Sequence, residues 1–207
     1  MESMSIYQEA GFEKLFRWTQ SEMKVLGREG VDLPPTLHRA IQALRDRPVL
    51  FTTCLEEVCG VRRSLVIRTF IDALTRGGPG GTPRPIELHA HDPMRYVGDM
   101  LAWLHQAVAS EREFLEHLLS PPVVEEGQQQ IGSEVEDAPG KENRVQTMLD
   151  RIAEGTCRPM RIRVEQAISS QPSPLVCFRL GNLIQFYLGT ITKVMSKESQ
   201  LCRTLAE

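Results

Sequence analysis

The feature that most constrains the fold is one long run of apolar residues at helical spacing. Large apolar side chains recur every three or four residues and resume the same register after Glu111: Met94, Val97, Leu101, Leu104, Val108, Leu115 and Leu118. Asp92 and Pro93 stand immediately before this run as a predicted N-cap and first helical residue. The spacing predicts a helix about 40 Å long with one continuous buried face. A place in an antiparallel bundle is favoured over a coiled coil, because flanking charges do not follow the coiled-coil pattern.

The rest of the chain has the same helical period, and no segment shows convincing β alternation. Further amphipathic helices are predicted over about 5–27, 33–44, 48–76, 142–154, 159–169 and from Ser173 to about Met195. Ser173 and Pro174 repeat the cap-and-proline opening seen at Asp92. The predicted fold class is therefore all-α, a bundle of long amphipathic helices.

Two segments interrupt the helical pattern. Residues 77–85 hold four glycines and three prolines, which favours a connector over 77–91. Residues 121–140 hold five acids and no Lys or Arg, which is typical of a disordered acidic loop. The predicted organisation is a helical segment over 1–120, this loop over 121–140, and a second helical segment over 141–207.

Composition excludes several classes of function. The net charge is −3, so no basic field favours binding to nucleic acid. No apolar run reaches the roughly 18 residues that span a bilayer, and the first residues carry no apolar signal-peptide core. Five cysteines in a chain of 207 residues do not form a typical disulfide framework, which predicts reduced thiols in a cytosol-facing protein.

Three segments contain residues that could bind a metal ion, a phosphate or a lipid headgroup, and each also has a purely structural interpretation. His89 and His91 could share a zinc ion in a metal-dependent hydrolase, but no third ligand is evident in the sequence. The glycine-rich segment 77–85 lacks the phosphate-loop pattern. The basic residues over 158–163 could bind phosphoinositides, although a solvated helix face is the default. We predict no catalytic, cofactor-binding or metal-ligating residue and no enzymatic activity.

Four segments resemble a known protein family. They are YQEAGFEKLFRWTQ at 7–20, the glycine-rich string at 70–86, HDPMRYVGDMLAWLHQ at 91–106, and RLGNLIQFY at 179–187. Together they closely resemble the sixth subunit of the conserved oligomeric Golgi complex, over residues of about 7–195. Members of that family are much longer, which implies that this chain corresponds to a middle region of such a subunit.

The resemblance implies an elongated rod segment of the CATCHR type, as in related tethering complexes. It implies a peripheral protein on the cytosolic face of the Golgi membrane that tethers vesicles in intra-Golgi retrograde transport and thereby retains glycosylation enzymes. The implied partners are the other subunits of the complex, SNARE proteins, small GTPases and the Golgi membrane surface.

Overall fold

A computed structural model describes residues 2–121, 138–170 and 173–207, and within these ranges the chain is helical with no β-strand. The α-helices are α1 (Glu2–Glu22), α2 (Pro35–Ala43), α3 (Pro48–Thr75), α4 (Pro93–Leu118), α5 (Ala138–Ser169), α6 (Pro174–Ile191) and α7 (Gln200–Ala206). Short 3-10 turns extend α1 and α2 and occupy part of the α3–α4 connection. The all-α prediction is confirmed.

The chain divides into two compact units, and the divisions fall inside α3, α4 and α5. The first unit comprises residues 1–62 and 114–148, and the second comprises residues 63–113 and 149–207. The predicted boundaries at 120 and 141 stay predictions. Most of the predicted acidic loop, residues 122–137, lies outside the described residues, and 138–140 already belong to α5.

Each unit has its own aliphatic core. The core of the first unit contains fully buried apolar residues from α2, α3, α4 and the 3-10 turns that extend α1 and α2, among them Leu26, Ile41, Leu44, Val58 and Leu115. In the second unit the core includes Val97, Leu101 and Leu104 of the predicted α4 face, and also Met100 of α4 and Phe70 and Leu74 of α3, all at 0% exposure. The apolar register predicted for α4 is confirmed except at Met94, which is half-buried. Helical periodicity also predicts an inner face of α3, and its members are all buried: Leu55, Val58, Leu65, Phe70 and Leu74.

The predicted start of α4 is also confirmed. Pro93 is its first residue, and the Arg95 backbone N–H donates to Asp92 Oδ1 at 3.3 Å. The carboxylate therefore satisfies one of the free N–H groups of the first turn. Glu111, expected as a polar break in the apolar face, is only 5% exposed.

The prediction of two separate helices over 142–154 and 159–169 is wrong. One helix, α5, runs through 32 residues with Pro159 inside it. Proline removes a backbone hydrogen bond, but buried residues on both sides, including Ile152 and Met160, hold the helix in the core. Tertiary packing outweighs the local cost of the proline.

The C-terminal helix α7 was not predicted. Ser199 caps it, since its Oγ accepts a hydrogen bond from the Cys202 N–H at 3.2 Å. Leu201 and Leu205 are buried four residues apart. The serine cap and this spacing were the available signals, but a helix of 7 residues is too short to show clear periodicity.

Candidate interaction surfaces

The two histidines proposed as metal ligands are brought near one another without a third ligand. The ring centroids of His89 and His91 are 6.4 Å apart, and His91 Nδ1 lies 3.1 Å from the Leu88 carbonyl oxygen. Asp92 is occupied as the cap of α4. Across the described residues, no three His, Cys, Asp or Glu side chains are grouped to hold a metal ion. A zinc hydrolase needs at least three protein ligands, so this arrangement gives that hypothesis no support.

The basic residues over 158–163 are largely paired. Arg161 bonds Glu165 at 2.8 Å and Glu207 at 2.5 Å, and these hydrogen bonds raise the pKa of its guanidinium. Arg163 bonds Glu87 at 3.0 Å. Pairing with carboxylates removes most of the local positive charge that a phosphoinositide headgroup would need.

The glycine-rich connector uses its backbone donors internally. The Gly77 N–H donates to the Asp72 carbonyl at 2.9 Å, the Gly78 N–H to Pro83 at 2.8 Å, and the Gly81 N–H to Gly78 at 2.9 Å. A phosphate cradle needs such N–H groups directed at the ligand. The segment is thus a closed turn at the end of α3 and does not form a phosphate loop.

The cysteines are free and most are buried. Burial raises the pKa of the Cys54 thiol to about 12, and the pKa values of Cys157 and Cys202 are raised for the same reason. A reactive cysteine needs the opposite environment, in which positive charge stabilises the thiolate. These three thiols therefore have the character of core residues.

In the first unit, polar side chains of α2 and of the 3-10 turn after it bind backbone carbonyl groups at the end of α4. His38, 7% exposed, places Nε2 3.0 Å from the Ser120 carbonyl oxygen. Gln42 donates to the Leu118 carbonyl at 2.6 Å, and Arg45 donates to the Leu119 carbonyl at 2.7 Å. The last carbonyls of a helix have no partner within the helix, so these side chains satisfy them. Burial lowers the pKa of His38 and keeps its ring neutral.

A buried arginine in the first unit and a half-buried arginine in the second make similar contacts. Arg62, 9% exposed, donates to the Leu26 carbonyl at 3.1 Å and stacks on the Phe114 ring at 4.4 Å. In the second unit, Arg112 donates to the Val194 carbonyl at 2.6 Å. Sequence reasoning missed these residues because a capping arginine has no local signature when its carbonyl partner is distant in sequence.

An open apolar groove lies in the first unit between α1 and the start of α3. Its volume is about 550 Å³, and Ile6, Ala10 and Val49 contribute to its lining. Glu9 and Arg47 form an ion pair of 2.7 Å at its edge. Ile6 and Val49 are 67% and 78% exposed, so this end of α1 presents apolar surface to solvent.

In the second unit, α6 exposes apolar side chains on its outer face. Helical periodicity predicts an inner face made of Leu180, Leu183, Ile184, Tyr187, Leu188, Ile191 and Met195. This prediction is confirmed in part, because Leu180, Ile191 and Met195 are buried and the other four are half-buried. The opposite face was not predicted to be apolar. It exposes Leu175, Phe178 and Phe186 to 58%, 67% and 67%. Large apolar side chains exposed on one side of a helix mark a site of protein association.

The described residues define an all-helical bundle protein whose distinctive surfaces are apolar helix faces. None of its described helices is both long enough and apolar enough to cross a bilayer. The chemistry of these surfaces is that of helix–helix association.

Comparison with known proteins places the chain in a family. A family model described as Conserved Oligomeric Golgi complex subunit 6, C-terminal, matches residues 1–207. The chain is 47% identical over 207 residues to conserved oligomeric Golgi complex subunit 6 of Homo sapiens, covering 100% of this chain and 29% of that protein. It is 47% identical over 208 residues to the Arabidopsis thaliana subunit, covering 99% of this chain and 30% of that protein.

The chain therefore belongs to the family of conserved oligomeric Golgi complex subunit 6. The predicted family resemblance is confirmed and extends over all 207 residues. The chain spans less than a third of the length of the curated relatives that it matches. No solved structure matches it.

Proposed function

We propose that this chain is a scaffold segment of a vesicle-tethering complex on the cytosolic face of the Golgi membrane. The family match over the whole chain carries this proposal. Two well-packed cores with exposed apolar helix faces support it, because a scaffold needs stable helices that present association surfaces.

The proposed role is to act in intra-Golgi retrograde transport, where tethering of recycling vesicles retains glycosylation enzymes. The chain takes part through binding and has no catalytic role. Its partners are the other subunits of the complex first, and SNARE proteins, small GTPases and the Golgi membrane surface in the assembled complex. The unsupported metal site and the paired arginines leave no observation that favours a hydrolase or a phosphoinositide-binding module.

Binding to isolated subunits tests this proposal. The purified chain is immobilised and challenged with each other subunit of the complex in turn, with bound zinc measured on the same preparation. We expect saturable binding to at least one subunit and no stoichiometric zinc. Binding to none of the subunits, or one zinc ion per chain, would contradict the scaffold role.

A further inference from the structure

The outward face of α6 has the composition of a buried helix surface. Its 18 residues contain a single charged side chain, Arg179. One side contributes Leu180 and Ile191 to the core of the second unit, while the other exposes Phe178 and Phe186. Large aromatic side chains exposed on the side of a helix opposite its core face mark a second surface of association. The exposed side is therefore a surface that lacks its cover in this chain.

The exposed residues have the spacing of a helix-packing seam. Leu175, Phe178, Asn182, Phe186 and Gly189 follow one another by three or four residues and are all exposed. This spacing places them along one stripe of the helix. Asn182 lies near the middle of the stripe, where a polar residue within an apolar seam fixes the register and choice of the partner helix.

Two glycines add notches beside the aromatic residues. Gly181 follows Phe178 by three residues and Gly189 follows Phe186 by three. A Cβ atom at either glycine would meet nothing within 4 Å, so packing within this chain does not require them. A glycine inside a helix costs roughly 0.5–1 kcal/mol relative to alanine. Close approach of a second helix is a use that would offset this cost.

The amount of surface argues against a second copy of this chain as the cover. The exposed parts of Leu175, Phe178 and Phe186 amount to roughly 400 Å². A stable dimer buries about 800 Å² on each partner. This area suits one added helix, held in place by further contacts within a larger assembly.

The charge on the face argues against a membrane as the cover. Helices that lie on membranes carry many Lys and Arg residues along their polar side. The exposed side of α6 offers Arg179 alone, with the neutral side chains of Asn182 and Gln185. The surface complementary to this face of α6 is a helix with an apolar seam that carries one acidic residue, placed to meet Arg179.

We propose that the exposed face of α6 binds one amphipathic helix of another subunit of the complex, through Leu175, Phe178 and Phe186. The inference rests on the proposed function and specifies the surface that performs it. The partner helix carries a neutral apolar seam, a polar residue opposite Asn182 and an acidic residue near Arg179. The notches at Gly181 and Gly189 receive its larger side chains.

The test combines a crosslinker with a matched pair of variants. A photo-crosslinking amino acid replaces Phe178 in the full 207-residue chain, which is then irradiated with each other subunit in purified form. Affinity for the subunit that binds is measured for the wild-type chain, the Phe178→Ser/Phe186→Ser double variant and the control Ile162→Ser. Ile162 is an apolar residue of α5 that is 42% exposed.

We expect crosslinks to one helix of that subunit and at least tenfold weaker binding by the double variant. The control should bind as the wild-type chain does, and circular dichroism should be the same for all. Equal binding by the double variant with no crosslink would overturn the inference and leave the proposed function standing. No binding by the wild-type chain to any subunit would contradict the proposed function itself.

Two further measurements test whether a second copy of this chain or a membrane covers the face instead. Sedimentation of the chain alone reports self-association, and flotation with phosphatidylcholine vesicles containing phosphatidylserine and phosphoinositides reports membrane binding. We expect a monomer and no flotation. Self-association or flotation that is lost in the double variant would assign the face to a second copy or to a membrane, and would overturn the inference.

Discussion

Gly78 lies where no larger residue fits. A Cβ atom there would be 2.3 Å from the Thr82 carbonyl oxygen and 2.5 Å from Pro83 Cδ. Gly80 differs, since its φ of +71° favours glycine but a Cβ would meet open space. We expect Gly78→Ala to lower the free energy of unfolding by about 2–3 kcal/mol through overpacking, and Gly80→Ala by only about 1 kcal/mol through backbone strain.

Thermal unfolding of the two variants checks this expectation. A kcal/mol corresponds to a shift of roughly 2–4 °C in Tm for a chain of this size. Hydrogen exchange across 77–85 gives a second measure, because the internally bonded N–H groups of Gly77 and Gly78 should exchange slowly. An alanine at position 78 that is tolerated as well as one at position 80 would mean that the connector is not closed as described.

Cys54 should be unreactive in the folded chain. With a thiol pKa of about 12, only about one molecule in ten thousand carries the thiolate at pH 8. Cys177 is half-buried and more accessible. In iodoacetamide labelling followed by mass spectrometry, we expect Cys177 to be modified first and Cys54 only after guanidinium is added. Equal rates for the two cysteines in the native protein would contradict the described burial.

The contact between α2 and the end of α4 should make stability depend on pH. His38 has a pKa lowered from 6.5 by burial, so the unfolded chain binds a proton more readily than the folded chain. Stability contributed by neutral His38 is fully present above about pH 6.5 and is lost as pH falls below that value toward the folded pKa. The midpoint of thermal unfolding should therefore fall on acidification.

A His38→Gln variant isolates this effect. Glutamine can still donate to the Ser120 carbonyl but does not titrate, so the variant lacks the change of charge at position 38. We expect the variant to have a flatter dependence of Tm on pH between 7 and 5. Parallel curves for the two proteins would show that His38 does not link α2 to the pH response.

At the level of helices, the features that could be predicted from the sequence are those set by hydrophobic periodicity and local capping. The apolar register of α4 and its Asp92–Pro93 start are correct because burial and capping are local patterns. The break predicted between 154 and 159 was wrong because packing of α5 outweighs the local effect of Pro159. The contacts of Arg45, Arg62 and Arg112 could not be predicted, since each joins residues that are more than 30 positions apart.

The candidate surface was only partly accessible to sequence reasoning. The inner face of α6 follows from its spacing, but its outer apolar face was overlooked, although one charge in 18 residues was a usable signal. The His89–His91 pair drew attention because metal ligands are recognised by type and spacing. Among the described residues, no third ligand lies near the two histidines. Only the three-dimensional structure could decide this point.

For the molecule as a whole, we expect function to depend on the stability of the core of the second unit. Leu104 is 0% exposed on α4, so Leu104→Asp places an unpaired charge in that core and should unfold it. Gln106, exposed on the same helix, provides the matched control as Gln106→Asp. Circular dichroism of the purified variants should show loss of helix for the first and none for the second.

Rescue of Golgi glycosylation in cells lacking the subunit tests the scaffold account most directly. The full-length subunit is expressed with either Leu104→Asp or the double change His89→Ala/His91→Ala, and surface glycans are measured by lectin binding. The account predicts that the double-histidine variant rescues as the wild type does and that Leu104→Asp does not. A folded double-histidine variant that fails to rescue, beside a Leu104→Asp variant that folds and rescues, would contradict it.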